Sequence, residues 1–318
     1  MDLDALVTER LAYSLGKLNL AATYRELLLS VVAKYLRAQL GHYTTCKPLV
    51  FLPQLCCEAC EADPRRSVGV TTAWFLLQVS AHLLDTVEDQ EYEMTNFDRN
   101  EQGVFVNLST GMILVAEWIL NHLELDRVDA GAAWDIQRAF QETVLSVCSG
   151  QHLDLSVPSP DLPTCWQIAE AKSGAAFGLA CYAGARLATN QSEWLCHLEK
   201  FGKYLGTIIQ ISDDLEDLGG DPKDHQGIHG DSPLIHAYLN YVGVKFSESP
   251  DCTIPLPGGI SLQNHLFYNG SILYLSLETM KYAEMARKEL SSLRLASEPY
   301  QELLAIVRHL SRLGASPN

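Results

Sequence analysis

Residues 201–222 read FGKYLGTIIQISDDLEDLGGDP. They end a run, 194–218, whose apolar residues recur at three- and four-residue spacing, which predicts a helix. On that helix Asp213 and Asp217 stand four apart and share a face, with Asp214 beside them and Gln210 one turn earlier. A second segment, HLLDTVEDQE at 82–91, repeats the design at the end of the nearly all-apolar run 70–84. Asp85 and Asp89 share a face there, and Glu88 lies close to it. Carboxylates ending an apolar helix are costly unless neutralised. Their oxygens are the ligands Mg²⁺ prefers, and Mg²⁺ commonly bridges carboxylates to phosphates. A solvated helix face would explain either segment alone; the two together point to paired carboxylate sets with metal between them and a polyphosphate completing the coordination.

The composition agrees with a folded, catalytic chain. The 318 residues are 47% hydrophobic and 19% charged, which supports a large core and excludes disorder. A net charge of −16 argues against a nucleic-acid partner, since phosphate backbones are met by Lys and Arg clusters. The first ten residues do not read as a signal peptide, and no run of about 18 uninterrupted apolar residues marks an integral membrane segment. A cytoplasmic location follows as an expectation. Nine cysteines, an odd number spread through the chain, read as reduced thiols. Cys56, Cys57 and Cys60 cluster, but no second CxxC or His pair completes a zinc site, so small buried helix residues are the better reading.

Helical periodicity also predicts helices over 18–40, 108–123, 133–147, 166–188, 272–293 and 300–313, with few strand signals. VPSPDLP at 157–163 and the Gly- and Pro-rich stretches 219–231 and 247–259 punctuate them. The expected fold is all-α, a single domain over 1–318 in which short loops join antiparallel helices.

Several motifs, in order, resemble those of the trans-polyprenyl diphosphate synthase family over about 41–231. DTVED at 85–89 is similar to its first aspartate-rich motif, DDxxD; GQHLDL at 150–155 to GQxxDL; KSGAAF at 172–177 to KTGxLF; and 201–222 to the second aspartate-rich helix. The resemblance implies an isoprenoid synthase bundle around a central apolar cavity, and a homodimer. It implies three Mg²⁺ per active site, held by Asp85, Glu88, Asp89, Asp213, Asp214 and Asp217. Lys172 would hold the diphosphate of an allylic prenyl substrate, with Gln210 and Gln151 lining the cavity near the reacting carbons. Metal and Lys172 would stabilise the leaving diphosphate. Trp74, Phe75, Phe177 and Tyr182 are candidates to face the carbocation.

The departures shape the finer expectation. Thr86 stands where the family has its second aspartate. GHYTTCKP at 41–48 keeps only Lys47 of a GKxxRP segment. Met94 and Thr95 fall where an Arg pair is expected, with Arg99 nearest; QGIHGDSP at 226–233 lacks a lysine. Those basic residues serve the second diphosphate, which would otherwise be a poorly neutralised anion. Their loss favours an enzyme that ionises one prenyl diphosphate and then cyclises it or captures the cation, as terpene synthases do. Chain elongation with isopentenyl diphosphate is the alternative. A regulatory subunit of a heteromeric synthase, suggested by the Cys56–Cys60 CxxxC pair, is a third. Ser80 and Ala81, five and four residues before Asp85, are small and permit a substrate of about C15 to C20, unless Trp74 and Leu77 close the cavity deeper down.

Overall fold

The computed structural model describes residues 3–42, 46–88, 102–216, 233–242 and 262–313. Among them the secondary structure is helical with no strand: α1 (Leu3–Lys17), α2 (Ala22–His42), α3 (Leu52–Ala59), α4 (Val68–Glu88), α5 (Gln102–Leu120), α6 (Ala130–Ser156), α7 (Leu162–Ala169), α8 (Ala175–Arg186), α9 (Ser192–Glu216), α10 (Pro233–Tyr241), α11 (Leu262–Ser291) and α12 (Ser297–Leu313). Where one helix is expected over 166–188, α7 and α8 are joined by a π-helical turn, Glu170–Gly174. Two compact units emerge: Met1–Glu142 with Leu179–Glu199 and Leu293–Ile306, and Thr143–Gly178 with Lys200–Ser292 and Val307–Asn318.

The first unit is organised by α4. Asp63 accepts a hydrogen bond from Arg65 N, and Pro64 starts the 3₁₀ turn that leads into α4. Apolar residues all round suit a helix buried on most sides, and Phe75, Leu76 and Leu83 are fully enclosed, as are Leu108, Met112 and Ile119 of α5. The two helices approach closely where Ser80 Oγ donates to Ser109 O at 3.1 Å, both serines having no exposed surface. Gly69 admits Asp126 to the start of α4, where Asp126 pairs with the buried Arg10 of α1 at 3.1 Å. Burial pushes the Asp126 carboxyl up to about 6, against the opposing pull of Arg10.

Length and apolarity alone would let Pro64–Glu88 and Gln102–Leu120 cross a bilayer, and 72% and 44% of those windows are buried within the fold. The clustered cysteines are packed into the same unit. Cys56 lies against Cys181 of α8, and burial pushes Cys57 and Cys60 up to about 12. Pro53 O sits so close to Gly184 that α8 meets α3 with no room for a side chain.

The second unit builds its core from α7, α9, α10 and α11. Asp161 caps α7 by accepting from Thr164 N at 3.0 Å. Leu162, Cys165, Ile211, Leu234, Ile235 and Leu275 form the buried cluster. Tyr238 stacks on Tyr274 at 4.4 Å, and Trp166 Nε1 donates to the Tyr274 hydroxyl at 3.2 Å.

Candidate active site

In the second unit the site grows from the π turn. A π turn holds one residue more than an α turn, so it swings the side chains after it around the helix axis. Here it carries Lys172 and Ser173 between two glycines. A Cβ on Gly150 of α6 would lie 2.9 Å from Ala171 Cβ and 3.0 Å from Lys172 Cγ. A Cβ on Gly206 of α9 would lie 2.5 Å from the carbonyl carbon of Ser173 and 2.9 Å from Gly174 Cα. Both neighbouring helices therefore reach the turn only because these positions lack side chains.

Lys172 Nζ meets Asp154 Oδ2 of α6 at 2.7 Å, both side chains being mostly shielded from solvent. An ammonium has three donors, so Lys172 can keep Asp154 and still reach an anion. Ser173 Oγ donates to Gln210 Oε1 at 3.1 Å, and Gln210 Nε2 donates to Asp214 Oδ1 at 3.3 Å. The other Asp214 oxygen accepts from Leu234 N, at the start of α10, at 3.0 Å. Asp214 is 3% exposed while Asp213, its neighbour, faces solvent. Gln151 buries both its amide oxygen and its nitrogen with no hydrogen bond to any described residue. A buried amide with no described partner is what a polar ligand would satisfy.

In the first unit, Asp85 is half-buried in the last turn of α4 and Glu88 is exposed at its end. Thr86 points elsewhere: it is 6% exposed, and its hydroxyl donates to His82 O at 2.9 Å. It offers the site no ligand, and its substitution for aspartate is absorbed inside the helix. Asp89 and Asp217, like residues 94–99 and 226–232, lie outside the described residues. Among those described, no three His, Cys, Asp or Glu side chains converge on one point. The donors that are described are hard oxygens, which fit Mg²⁺.

The basic residues nearest α4 and the small Ser80 acquire a physical setting. Arg65 and Arg66 precede α4 while Asp85 ends it, a span of about 30 Å at 1.5 Å per residue, so neither supplies charge to the first motif. Lys47 lies 3.8 Å from Glu58, which already offsets its charge. Ser80, expected to set cavity depth, spends its small size on the approach of α5. Trp74 instead lines a small apolar cavity with Val70, Leu120, Ile136, Phe140 and Ala183. Of the other aromatics, Phe75 is 2% and Phe177 7% exposed, and Tyr182 is half-buried.

Asp154, Ser173, Gly150 and Gly206 were not singled out as functional from the sequence. Asp154 and Gly150 belong to GQHLDL and Ser173 to KSGAAF, so their motifs were visible but their pairings were not.

The chain's likeness to known proteins agrees with this arrangement. In structure it resembles the geranylgeranyl pyrophosphate synthetase of the archaeon Geoglobus acetivorans, at 18% identity and TM-score 0.69 over 97% of this chain and 98% of that one. It resembles a polyprenyl synthetase from Streptomyces coelicolor A3(2) at 17% identity and TM-score 0.70, over 97% of each chain. A third likeness, at 17% identity and TM-score 0.66 over 98% of this chain and 99% of that one, is to the Corynebacterium glutamicum geranylgeranyl pyrophosphate synthase complexed with isoprenyl diphosphate and magnesium. These establish the isoprenoid synthase fold. No curated protein matches the sequence. The polyprenyl synthetase family profile matches residues 55–231, more than half of the chain and both aspartate-rich segments. This chain belongs to the polyprenyl synthetase family and is a class I isoprenoid enzyme of prenyltransferase type.

Proposed function

We propose that the enzyme ionises an allylic prenyl diphosphate of about C15 to C20 and joins the prenyl group to isopentenyl diphosphate. The observation that carries the reading is the pair of contacts at the π turn, Lys172 on Asp154 and Ser173 on Gln210; Gln151, on the same helix as Asp154, adds a buried amide that no described residue satisfies. Lys172 donates to the departing diphosphate while Asp154 holds its ammonium in place. Gln210, oriented by Ser173 and Asp214, presents its amide to the reacting end of the substrate. Asp85, Glu88, Asp89, Asp213 and Asp217 would hold Mg²⁺, three ions per site. Bound there, Mg²⁺ would supply the positive charge that offsets charge developing on the diphosphate. The reading takes residues 1–318 as a single catalytic domain.

Family membership supports elongation over the cyclisation expected from the sequence. The absence of basic residues at 41–46, 94–95 and 226–232 is the observation that favours cyclisation, and it keeps that second reading in play. Product analysis separates them. The purified chain is incubated with Mg²⁺ and farnesyl or geranylgeranyl diphosphate, with and without isopentenyl diphosphate. A lengthened diphosphate that appears only with isopentenyl diphosphate is the expected result. Hydrocarbon or alcohol from the allylic substrate alone would mean cyclisation or capture by water. No activity without a second protein would identify a regulatory subunit.

The proposal includes a homodimer. Helix α5 is apolar along its length yet leaves Val104, Val106 and Leu114 between 44% and 60% exposed. A second copy would cover that face. Light scattering should give a mass of about twice 35.2 kDa. Val106→Glu with Leu114→Glu should return it to that of one chain, and an unchanged mass would exclude α5 from the interface.

A further inference from the structure

The two adjacent aspartates of DDLED do different work. The geometry points to Asp214 as a positioning residue, not a metal ligand: it anchors the start of α10 to α9 and, through Gln210, fixes Ser173 of the π turn. Asp213 is left as the ligand of the pair. This rests on the proposed function for its metal, but the anchor itself is a property of the fold.

Sequence and structure differ over the pair. Adjacent helix residues point about 100° apart, so Asp213 and Asp214 cannot share a face. Asp213 faces solvent, where a hydrated cation can reach it. Asp214 points inward, with 3% of its surface exposed. One of its oxygens takes Leu234 N at 3.0 Å and the other takes Gln210 Nε2 at 3.3 Å. Leu234 N is in the first turn of α10, whose amides have no carbonyl partners within the helix. A carboxylate at that place caps the helix and meets the positive end of its dipole. Leu234 itself is 2% exposed, so the anchored turn is also packed. From Asp214 the chain of hydrogen bonds runs through Gln210 to Ser173, one residue from Lys172. The second aspartate thus fixes the orientation of a catalytic amide and of the turn that carries the diphosphate-binding lysine.

Asparagine tests the assignment because it keeps the shape and loses the charge. In Asp214→Asn, the amide oxygen accepts from Leu234 N, the new NH₂ donates to Gln210 Oε1, and Gln210 Nε2 donates to Ser173 Oγ. Every bond survives, that from Leu234 N unchanged and the two made by Gln210 with donor and acceptor exchanged. A metal ligand is not rescued this way, since an amide lacks the anionic oxygen that a hard cation prefers.

Two readouts apply to the full-length chain: Mn²⁺ binding by electron paramagnetic resonance with inorganic pyrophosphate present, and hydrogen exchange of residues 233–241. Asp213→Asn should weaken Mn²⁺ binding by about tenfold or more and leave α10 exchange unchanged. Asp214→Ala should speed exchange across α10 by about tenfold. Asp214→Asn should restore slow exchange and keep Mn²⁺ affinity within about threefold of the parent. It should also recover most of the turnover rate that Asp214→Ala loses, a rescue that loss of a ligand would not allow. If Asp214→Asn weakens Mn²⁺ binding as much as Asp213→Asn, Asp214 is a ligand and the assignment fails. It also fails if Asp214→Ala leaves α10 exchange unchanged. If neither asparagine variant alters Mn²⁺ binding while α10 responds to Asp214→Ala, the anchor stands and the metal reading of DDLED falls. Should Asp214→Ala not fold, the two asparagine variants still decide between ligand and anchor.

Discussion

Gly206→Ala is expected to cost the enzyme roughly 100-fold or more in turnover, the penalty that a misplacement of about 1 Å in a reacting group carries. The added methyl would sit 2.5 Å from the Ser173 carbonyl carbon and 2.9 Å from Gly174 Cα. Both are backbone atoms, so no side chain can rotate away. Either α9 or the π turn must move, and Lys172 moves with the turn. Overpacking of this kind costs about 1–3 kcal/mol. Helix propensity alone would stabilise the same substitution by up to about 1 kcal/mol. The sign of the melting-temperature change therefore tells which effect governs. Gly270→Ala, on α11 with no atom within 4 Å of the added methyl, is the matched control and should be neutral or slightly stabilising. If Gly206→Ala behaves like that control and keeps its turnover, α9 does not clamp the turn.

Asp85→Ala and Asp213→Ala should each reduce Mg²⁺-dependent release of diphosphate by roughly 100-fold or more, as removal of a group that stabilises developing charge does. Stability should barely change at Asp213, whose side chain is exposed, because surface substitutions usually stay within about 0.5 kcal/mol. Thr86→Ala is the internal comparison. Its hydroxyl bonds back to His82 O on its own helix, so its loss should leave the Mg²⁺ requirement where it was. Full activity in either aspartate variant, measured as pyrophosphate released against Mg²⁺ concentration, would end the two-motif reading.

Much of this arrangement could be read in the sequence, and the part that could not has physical causes. Apolar periodicity located α4 and α9 and put Asp85 and Asp213 on them, because it fixes which side chains share a face. Helix α1 passed unnoticed, although Val7, Leu11 and Leu15 form a buried stripe at four-residue spacing. Helix α10, nine residues long, gives too few turns for a pattern to register. The π turn is invisible for a different reason. Residues 166–188 keep helical composition throughout, and the extra residue is imposed by the fit of Gly150 and Gly206 against it. Asp213 and Asp214 are identical letters, and burial alone separates them. Ser80 packs against α5, and a small residue beside a cavity and a small residue at a helix crossing look the same in sequence.

Asp85 and Glu88 lie in the last described turn of α4, and Asp213 and Asp214 in that of α9. The carbonyls of a helix C-terminus carry a partial negative charge, and each carboxylate added there costs about 0.3–1 kcal/mol. Carboxylates near such an end are charged against the helix's own dipole before any substrate arrives. A divalent cation relieves backbone and side chains together, so metal should raise the stability of the fold as well as enable the reaction. On the proposed reading, the resting protein would hold an electrostatic strain around Asp85 and Asp213 that cation binding would release.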